Sequence, residues 1–435
     1  VALTLALALV MVAAACGSSD STPTHSVGPT TPPPPTISAT ATPGASLSAV
    51  PSIYPVPTSD YAAPTNQPIA LNDALAASLQ KTVATLQTSK RFPGLSVAIA
   101  FPDGRVWAGQ SGNAVVSPKT PVAADTLFSF GSISKTFVAA LIGRLAQRGT
   151  IGLDDPLSKY VPTFYRAADI TLRQLLNHTS GVMDVFEVKG MSAAILADPA
   201  HVWTPDEILA RVGKSRYAFA PGKGYWYSNT DYVLLGQVIE KATGQTVASL
   251  VRSEFLDPLG LTHTFLQTQE TAEGPLAHGY MTPASRPRDN TAGPMLPFTA
   301  EASAVGPAGA YVSTPSDLAT WGSALYGGEI LDQATLASMV DVSQTSGFKA
   351  PFKPKWIYGL GFEETTIAGQ VAWGHRGHLD GFWSSMWYLP AYGVTVVVVA
   401  NAEWCDPVAV TAALAKDFLP AAPAPSAPAP SAPAP

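Results

Sequence analysis

The chain has 435 residues, 46% hydrophobic and 13% charged, with a formal net charge of −6, enough apolar material for one large globular domain or two modest ones. The mild acidity leaves no basic footprint and argues against nucleic acid as a partner. Forty prolines gather mostly at the two ends, and two cysteines cannot make a disulfide framework, so the folded part must stand on its core.

Residues 1–16, VALTLALALVMVAAAC, are an apolar run shorter than the roughly 20 residues a membrane-spanning helix needs. They read as the apolar region of an export signal. Ala13-Ala14-Ala15-Cys16 followed by Gly17 resembles a bacterial lipoprotein cleavage site. Cys16 would then be lipidated and hold the protein at the outer face of the cytoplasmic membrane or in the cell envelope. Ala13 stands where that motif most often has leucine, and no Lys or Arg precedes the run, so an ordinary cleaved secretion signal is the alternative. Either reading takes the protein out of the cytoplasm. Residues 17–70, rich in Ser, Thr, Pro and Ala, bury too little to repay chain entropy and are expected to form an extended tether.

The folded domain is expected over residues 71–419. Leu75, Leu79, Val83 and Leu86 recur at helical spacing within 71–87. Two strands, 94–101 and 105–112, flank the turn signal Pro102-Asp103-Gly104. The stretch FSFGSISKTF (128–137) leads into a helix over 137–148, with Gly149 as its stop. The middle, about 153–330, alternates helix and loop. Strands follow at 372–378, 382–390 and 394–401, then a closing helix over 406–418. Residues 420–435 are a Pro/Ala-rich tail without a core. Strands at both ends with helices between them predict an α/β fold of the α+β type. One antiparallel sheet is built from both chain ends and flanked by helices, with a mostly helical subdomain inserted.

A serine hydroxyl is a weak nucleophile until a base takes its proton, and lysine can do so only when neutral. Ser132 and Lys135, three apart, share one face of a helix. If Ser132 opens that helix, its backbone N–H also becomes an oxyanion donor. The structural alternative for Ser132 is an N-cap. Ser78…Lys81 and Ser346…Lys349 repeat the spacing, but one lies on a polar-faced helix and the other in a loop beside Gly347, so neither is expected to act. Tyr227-Ser228-Asn229 offers a phenol that can relay a proton and an amide that can orient Lys135 or a substrate carbonyl. His375-Arg376-Gly377 falls on a predicted strand, where Gly377 is expected to let a substrate backbone lie close to the sheet.

Ser-x-x-Lys, Tyr-x-Asn and His-x-Gly in this order resemble the serine beta-lactamase-related hydrolases: class C beta-lactamases, D-alanyl-D-alanine carboxypeptidases and related esterases. PGLSVAIAFPDG, GTIGLDDPLSKYVP, ITLRQLLNHTSGV and GHLDGFWSSMWYLPAYGVTVVVVAN extend the resemblance along the whole folded part. The resemblance implies a beta-lactamase/transpeptidase-like fold and no cofactor. Ser132 would be the acylated nucleophile, Lys135 its base or proton partner, and Tyr227 the second acid/base. Asn229 would bind the substrate amide or hold Lys135, and His375 and Gly377 would line the substrate strand. The backbone N–H groups of Ser132 and His378 would form the oxyanion hole.

His375 departs from the lysine that class C beta-lactamases usually carry to meet the drug's carboxylate. With a reference pKa of about 6.5 it is mostly neutral at pH 7. Arg376 is no substitute, because strand alternation sends it to the opposite face. No metal is expected: His375 and His378 point to opposite faces, and no carboxylate is placed to complete a site. His178 reads as a structural hydrogen-bonder and Cys405 as an inert thiol. Trp373, Trp383, Trp387 and Trp404 read as core, with a member near the site free to line a pocket. The expectation is an exported serine hydrolase forming a covalent acyl-enzyme on Ser132. Its substrate is a small molecule or peptide: a D-Ala-type cell-wall peptide or a small ester ahead of a beta-lactam. The alternative is a catalytically inactive, surface-anchored binding protein of the same fold.

Overall fold

Asn72 starts the first helix by accepting the Leu75 N–H on its side-chain oxygen at 2.9 Å, and helix α1 (Asp73–Lys90) follows. The computed structural model describes residues 69–213, 217–282, 288–349, 351 and 357–420. The export signal with Cys16, residues 17–68 of the tether and the tail from 421 lie outside the described residues.

Strands β1 (Gly94–Ala100) and β2 (Val106–Val115) form the expected hairpin. After β3 (Thr120–Pro121) and β4 (Phe128–Ser129) comes helix α2 (Ser134–Gln147). The middle of the chain is helical, with α3 (Asn229–Thr243) its longest helix among the described residues. Short strands β5 (Phe265–Leu266) and β6 (Tyr311–Ser313) and helix α4 (Pro315–Tyr326) bring the chain back to the sheet. There β7 (Ile357–Tyr358), β8 (Glu363–Ile367), β9 (Gln370–Leu379), β10 (Phe382–Leu389) and β11 (Val394–Ala400) follow. Helix α5 (Pro407–Phe418) closes the domain behind an Asp406 cap.

The main sheet has eight strands in the order β3-β2-β1-β11-β10-β9-β8-β7. All its pairings are antiparallel. The β1–β11 pairing joins the two ends of the domain, as expected. β11 is buried at every position because both its faces are covered. Val396 and Val398 pack with Leu79 and Val83 of α1 and Leu414 of α5. Val397 and Val399 face the second core with Phe137 of α2 and Trp321 of α4. Burying each such side chain contributes about 1.5–3 kcal/mol, so β11 is the spine of the domain. The sequence reading missed β3, β7 and β8: two are two residues long, and β8, EETTI, carries no apolar alternation.

Two features of this frame position the site. A three-stranded sheet, β4-β6-β5, holds the segment just before Ser132 through Phe128↔Ser313 and Ser129↔Val312. β8 pairs with β9 only between Gln370 and Gly374, so residues 375–379 of β9 keep one edge without a strand neighbour.

Candidate active site

Ser132 lies in a single 3-10 turn, Gly131–Ile133, that runs into α2. It is not an N-cap: no side-chain cap bond is made there, and Ser134 instead returns its hydroxyl to the Gly131 carbonyl at 2.6 Å. The turn docks on the open edge of β9. Gly131 is left-handed (φ 49°), and a Cβ on it would stand 2.6 Å from the His378 backbone nitrogen. The Ser132 turn therefore packs directly against the His378 backbone.

Gly377 lines the cavity at Ser132, and on its Cβ side the chain's own backbone comes close: a Cβ there would sit 1.8 Å from the Phe130 carbonyl oxygen and 2.4 Å from Ser384 Oγ. Ser384 Oγ donates to that same carbonyl at 3.0 Å. The missing side chain lets the nucleophile turn seat against the sheet.

Lys135 is completely buried. Its Nζ lies 3.0 Å from Ser132 Oγ, 2.8 Å from Asn229 Oδ1 and 2.9 Å from the Ala308 carbonyl oxygen, one acceptor for each of the three donors of an ammonium. Burial pulls its pKa down to about 7, against the opposing pull of Asp184, Glu363 and Asp231. Near neutral pH a large share of Lys135 can thus be the free amine that accepts the serine proton. Burial holds the Tyr227 hydroxyl well above the usual phenol range, with Ser132 beside it pulling the other way, so Tyr227 stays protonated. The lysine nitrogen is 4.9 Å from its ring centre.

Asn229 opens α3 with its carbonyl toward Lys135 and its amide toward Asp184 Oδ2 at 2.9 Å. Asp184, which the sequence reading passed over, also takes the backbone N–H of Asn229 and of Phe186. It thereby fixes which end of the Asn229 amide meets the lysine. The local signal was an Asp two residues before Phe186, able to cap the turn at Val185–Glu187. His178 is structural, as read: it is buried, bonded to Asp231 at 3.1 Å, and its ring backs that of Tyr227 at 4.3 Å.

His375 is buried, with Nε2 2.9 Å from the Tyr358 hydroxyl and Nδ1 at the Arg376 carbonyl. Burial lowers its pKa to about 4, so it is neutral and already bonded at physiological pH. Arg376 is engaged by Glu363 at 2.7 Å. His378 overturns one expectation, that no carboxylate stands near it. Its Nε2 lies 2.8 Å from Glu403 Oε1, and Asp380 joins them in a cluster whose potential ligand atoms fall within 4.8 Å of one another. The turn after β9 and the loop after β11 make this meeting, which strand alternation cannot foretell. Glu403 also accepts the Gly381 N–H at 2.9 Å, so two of the three side chains already satisfy one another.

Two cavities meet at Ser132, Tyr227 and His378. One, of about 450 Å³, runs past Asn229, Phe186 and Phe298 to Glu301 and Asp380. The other, of about 360 Å³, is walled by Tyr225, His375, Arg376 and Trp383. Trp383 is thus the pocket-lining tryptophan, while Trp387 is core. Cys405 is buried, and burial pushes its thiol up. The other Ser-x-x-Lys serines are spent elsewhere: Ser78 donates to Asp417 and Ser346 to the Ser343 carbonyl.

A family model described as Beta-lactamase matches residues 79–416. The chain is 26% identical over 365 residues to a beta-lactamase of Escherichia coli, spanning 77% of this chain and 91% of that protein. It is 35% identical over 204 residues to the esterase EstB of Burkholderia gladioli, 43% of this chain and 50% of that protein. Among solved structures, the D-amino acid amidase of Ochrobactrum anthropi complexed with L-phenylalanine amide superposes with a TM-score of 0.69 at 30% identity, covering 79% of this chain and 98% of that one.

Proposed function

This chain belongs to the beta-lactamase family of serine hydrolases acting on amides and esters, and we propose that it works through a covalent acyl-enzyme on Ser132. The observation that carries this reading is the buried Lys135 amine 3.0 Å from Ser132 Oγ with its pKa near neutrality. Neutral Lys135 takes the hydroxyl proton as Oγ bonds to the substrate carbonyl carbon. The oxyanion is met by the backbone N–H groups of Ser132 and His378. On collapse, the bond to the leaving nitrogen or oxygen breaks, and the proton passes from Lys135 through Tyr227 to the leaving group. Water then repeats the sequence on the acyl-serine, with the proton returning by the same path.

The substrate class we favour is a D-amino-acid amide or peptide, or a small ester, ahead of a beta-lactam. The neutral, already bonded His375 and the Arg376 guanidinium, paired with Glu363 in the same cavity, give a drug carboxylate little to hold. Incubation of the full chain with benzylpenicillin or a p-nitrophenyl ester, followed by intact mass and peptide mapping, is expected to find one acyl group, on Ser132. Turnover that survives Ser132→Ala would overturn the covalent route. Absence of both adduct and turnover across esters, amides and penicillin would leave a binding protein of this fold.

We also propose that the protein is exported and anchored through Cys16, on the strength of the apolar run ending in Ala-Ala-Ala-Cys. Expression in a bacterial host with labelled palmitate is expected to put label in the membrane fraction, and Cys16→Ala to release the protein unlabelled. Label that persists in the variant would refute the anchor.

A further inference from the structure

The larger cavity has an acidic corner that the hydrolytic steps do not use. Glu301, on the short helix Thr299–Val305, lines the same cavity as Ser132, Tyr227 and Asn229 and is only 6% exposed. Its Oε1 accepts the Asp380 backbone N–H at 3.1 Å, while Oε2 has no hydrogen-bond partner among the described residues. Asp380 shares the wall, and Glu403 stands behind it, held by His378 at 2.8 Å and the Gly381 N–H at 2.9 Å. Burial first, then the charges of Asp380 and Glu403, raise the Glu301 carboxyl to about 8. The Arg288 guanidinium acts on Asp380 instead.

Beside two further carboxylates this buried carboxyl keeps its proton at neutral pH, and ionising it there without a counter-charge is costly. What relieves all of this at once is a positively charged N–H donor entering from the cavity. Phe186, Ile195, Phe298 and Val305 give the cavity an apolar side, which suits the hydrocarbon part of a compact substrate. A substrate carboxylate in the same place would meet like charge.

We propose that Glu301, assisted by Asp380, is the specificity element that binds a primary ammonium on the substrate. The enzyme therefore selects amides or esters bearing a free amine over neutral or anionic ones. This rests on the acyl-enzyme reading of Ser132 above, since the cavity matters only if its occupant reaches that serine.

The test compares three p-nitroanilides on the full chain: phenylalanine p-nitroanilide as both stereoisomers, its amine-free analogue 3-phenylpropionyl p-nitroanilide, and N-succinyl-phenylalanine p-nitroanilide. The free-amine substrate, in one or both stereoisomers, is expected to exceed the amine-free analogue in kcat/KM by about tenfold or more. The succinylated one should be the poorest. Glu301→Gln should bring the ratio of amine to amine-free substrate close to one, chiefly through KM. If that variant does not fold, Asp380→Asn is read in the same ratio, with a partial fall expected. Equal rates for amine and amine-free substrates in the wild type would overturn the inference while leaving the hydrolase intact. A preference abolished by EDTA and restored by calcium or zinc would also overturn it, because the corner would then be a metal site. No turnover of any anilide, with no adduct on Ser132, would remove the premise and the inference together.

Discussion

Ser132→Ala is expected to lower kcat/KM for any amide or ester this protein cleaves by about 10⁴–10⁶-fold, the range seen when a serine nucleophile is removed. The expectation rests on what the hydroxyl touches. It lies between the Lys135 amine at 3.0 Å and the Tyr227 phenol, and its turn is seated against the His378 amide by the absence of a side chain at Gly131. Removing Oγ leaves Lys135 two of its acceptors, Asn229 and Ala308, so melting should move little. The measurement is initial-rate hydrolysis of a p-nitrophenyl ester and of an amino-acid amide, beside a thermal melt of each protein. A variant that melts like the wild type yet keeps more than about a hundredth of its rate would mean another nucleophile. Ser192, which lines the same cavity, would be examined next.

The parts of this site legible in the sequence are those whose partners are close along the chain or carried on separate short motifs. Ser132 and Lys135 are three residues apart, so helical geometry alone places them together. Tyr227 and Asn229 also bracket a helix start. What was illegible depends on tertiary approach. The third acceptor of Lys135 is a backbone carbonyl 173 residues away, which no side-chain motif marks. Asp184 reaches Asn229 across 45 residues, and Glu403 reaches His378 across 25. Gly377 shows the limit: sequence says that some group comes close to it, and only the docking of the serine turn on the open edge of β9 adds the Phe130 carbonyl. The fold's spine was readable because the valine run of β11 is apolar on both faces. The rim strands β7 and β8 were not, because they are short or polar.

Lys135→Met separates catalysis from stability. The side chain keeps its length and loses its charge and its basicity, so kcat should fall by about 10²–10⁴-fold, the usual contribution of a positioned general base. The wild-type kcat/KM should climb tenfold per pH unit below an inflection near 7 and level above it, because the cationic form cannot take the Ser132 proton. Residual activity of the variant should lack that limb. Stability should also depend on pH. The folded-state pKa of Lys135 is about 7, depressed from a reference of 10.5, so between those values the unfolded chain holds the extra proton. Native stability then rises with pH through this window by up to about 1.4 kcal/mol per unit, and the penalty of the buried cation is greatest at and below pH 7. The Met variant carries no such penalty, although it leaves the Ala308 carbonyl and the Asn229 amide oxygen without their donor. Its stability relative to the wild type should therefore be best at pH 7 and decline towards pH 10. Denaturant melts of both proteins at pH 7, 8.5 and 10 measure this directly. A difference that does not change with pH would mean that Lys135 keeps an ordinary lysine pKa. It could not then be the base that takes the Ser132 proton.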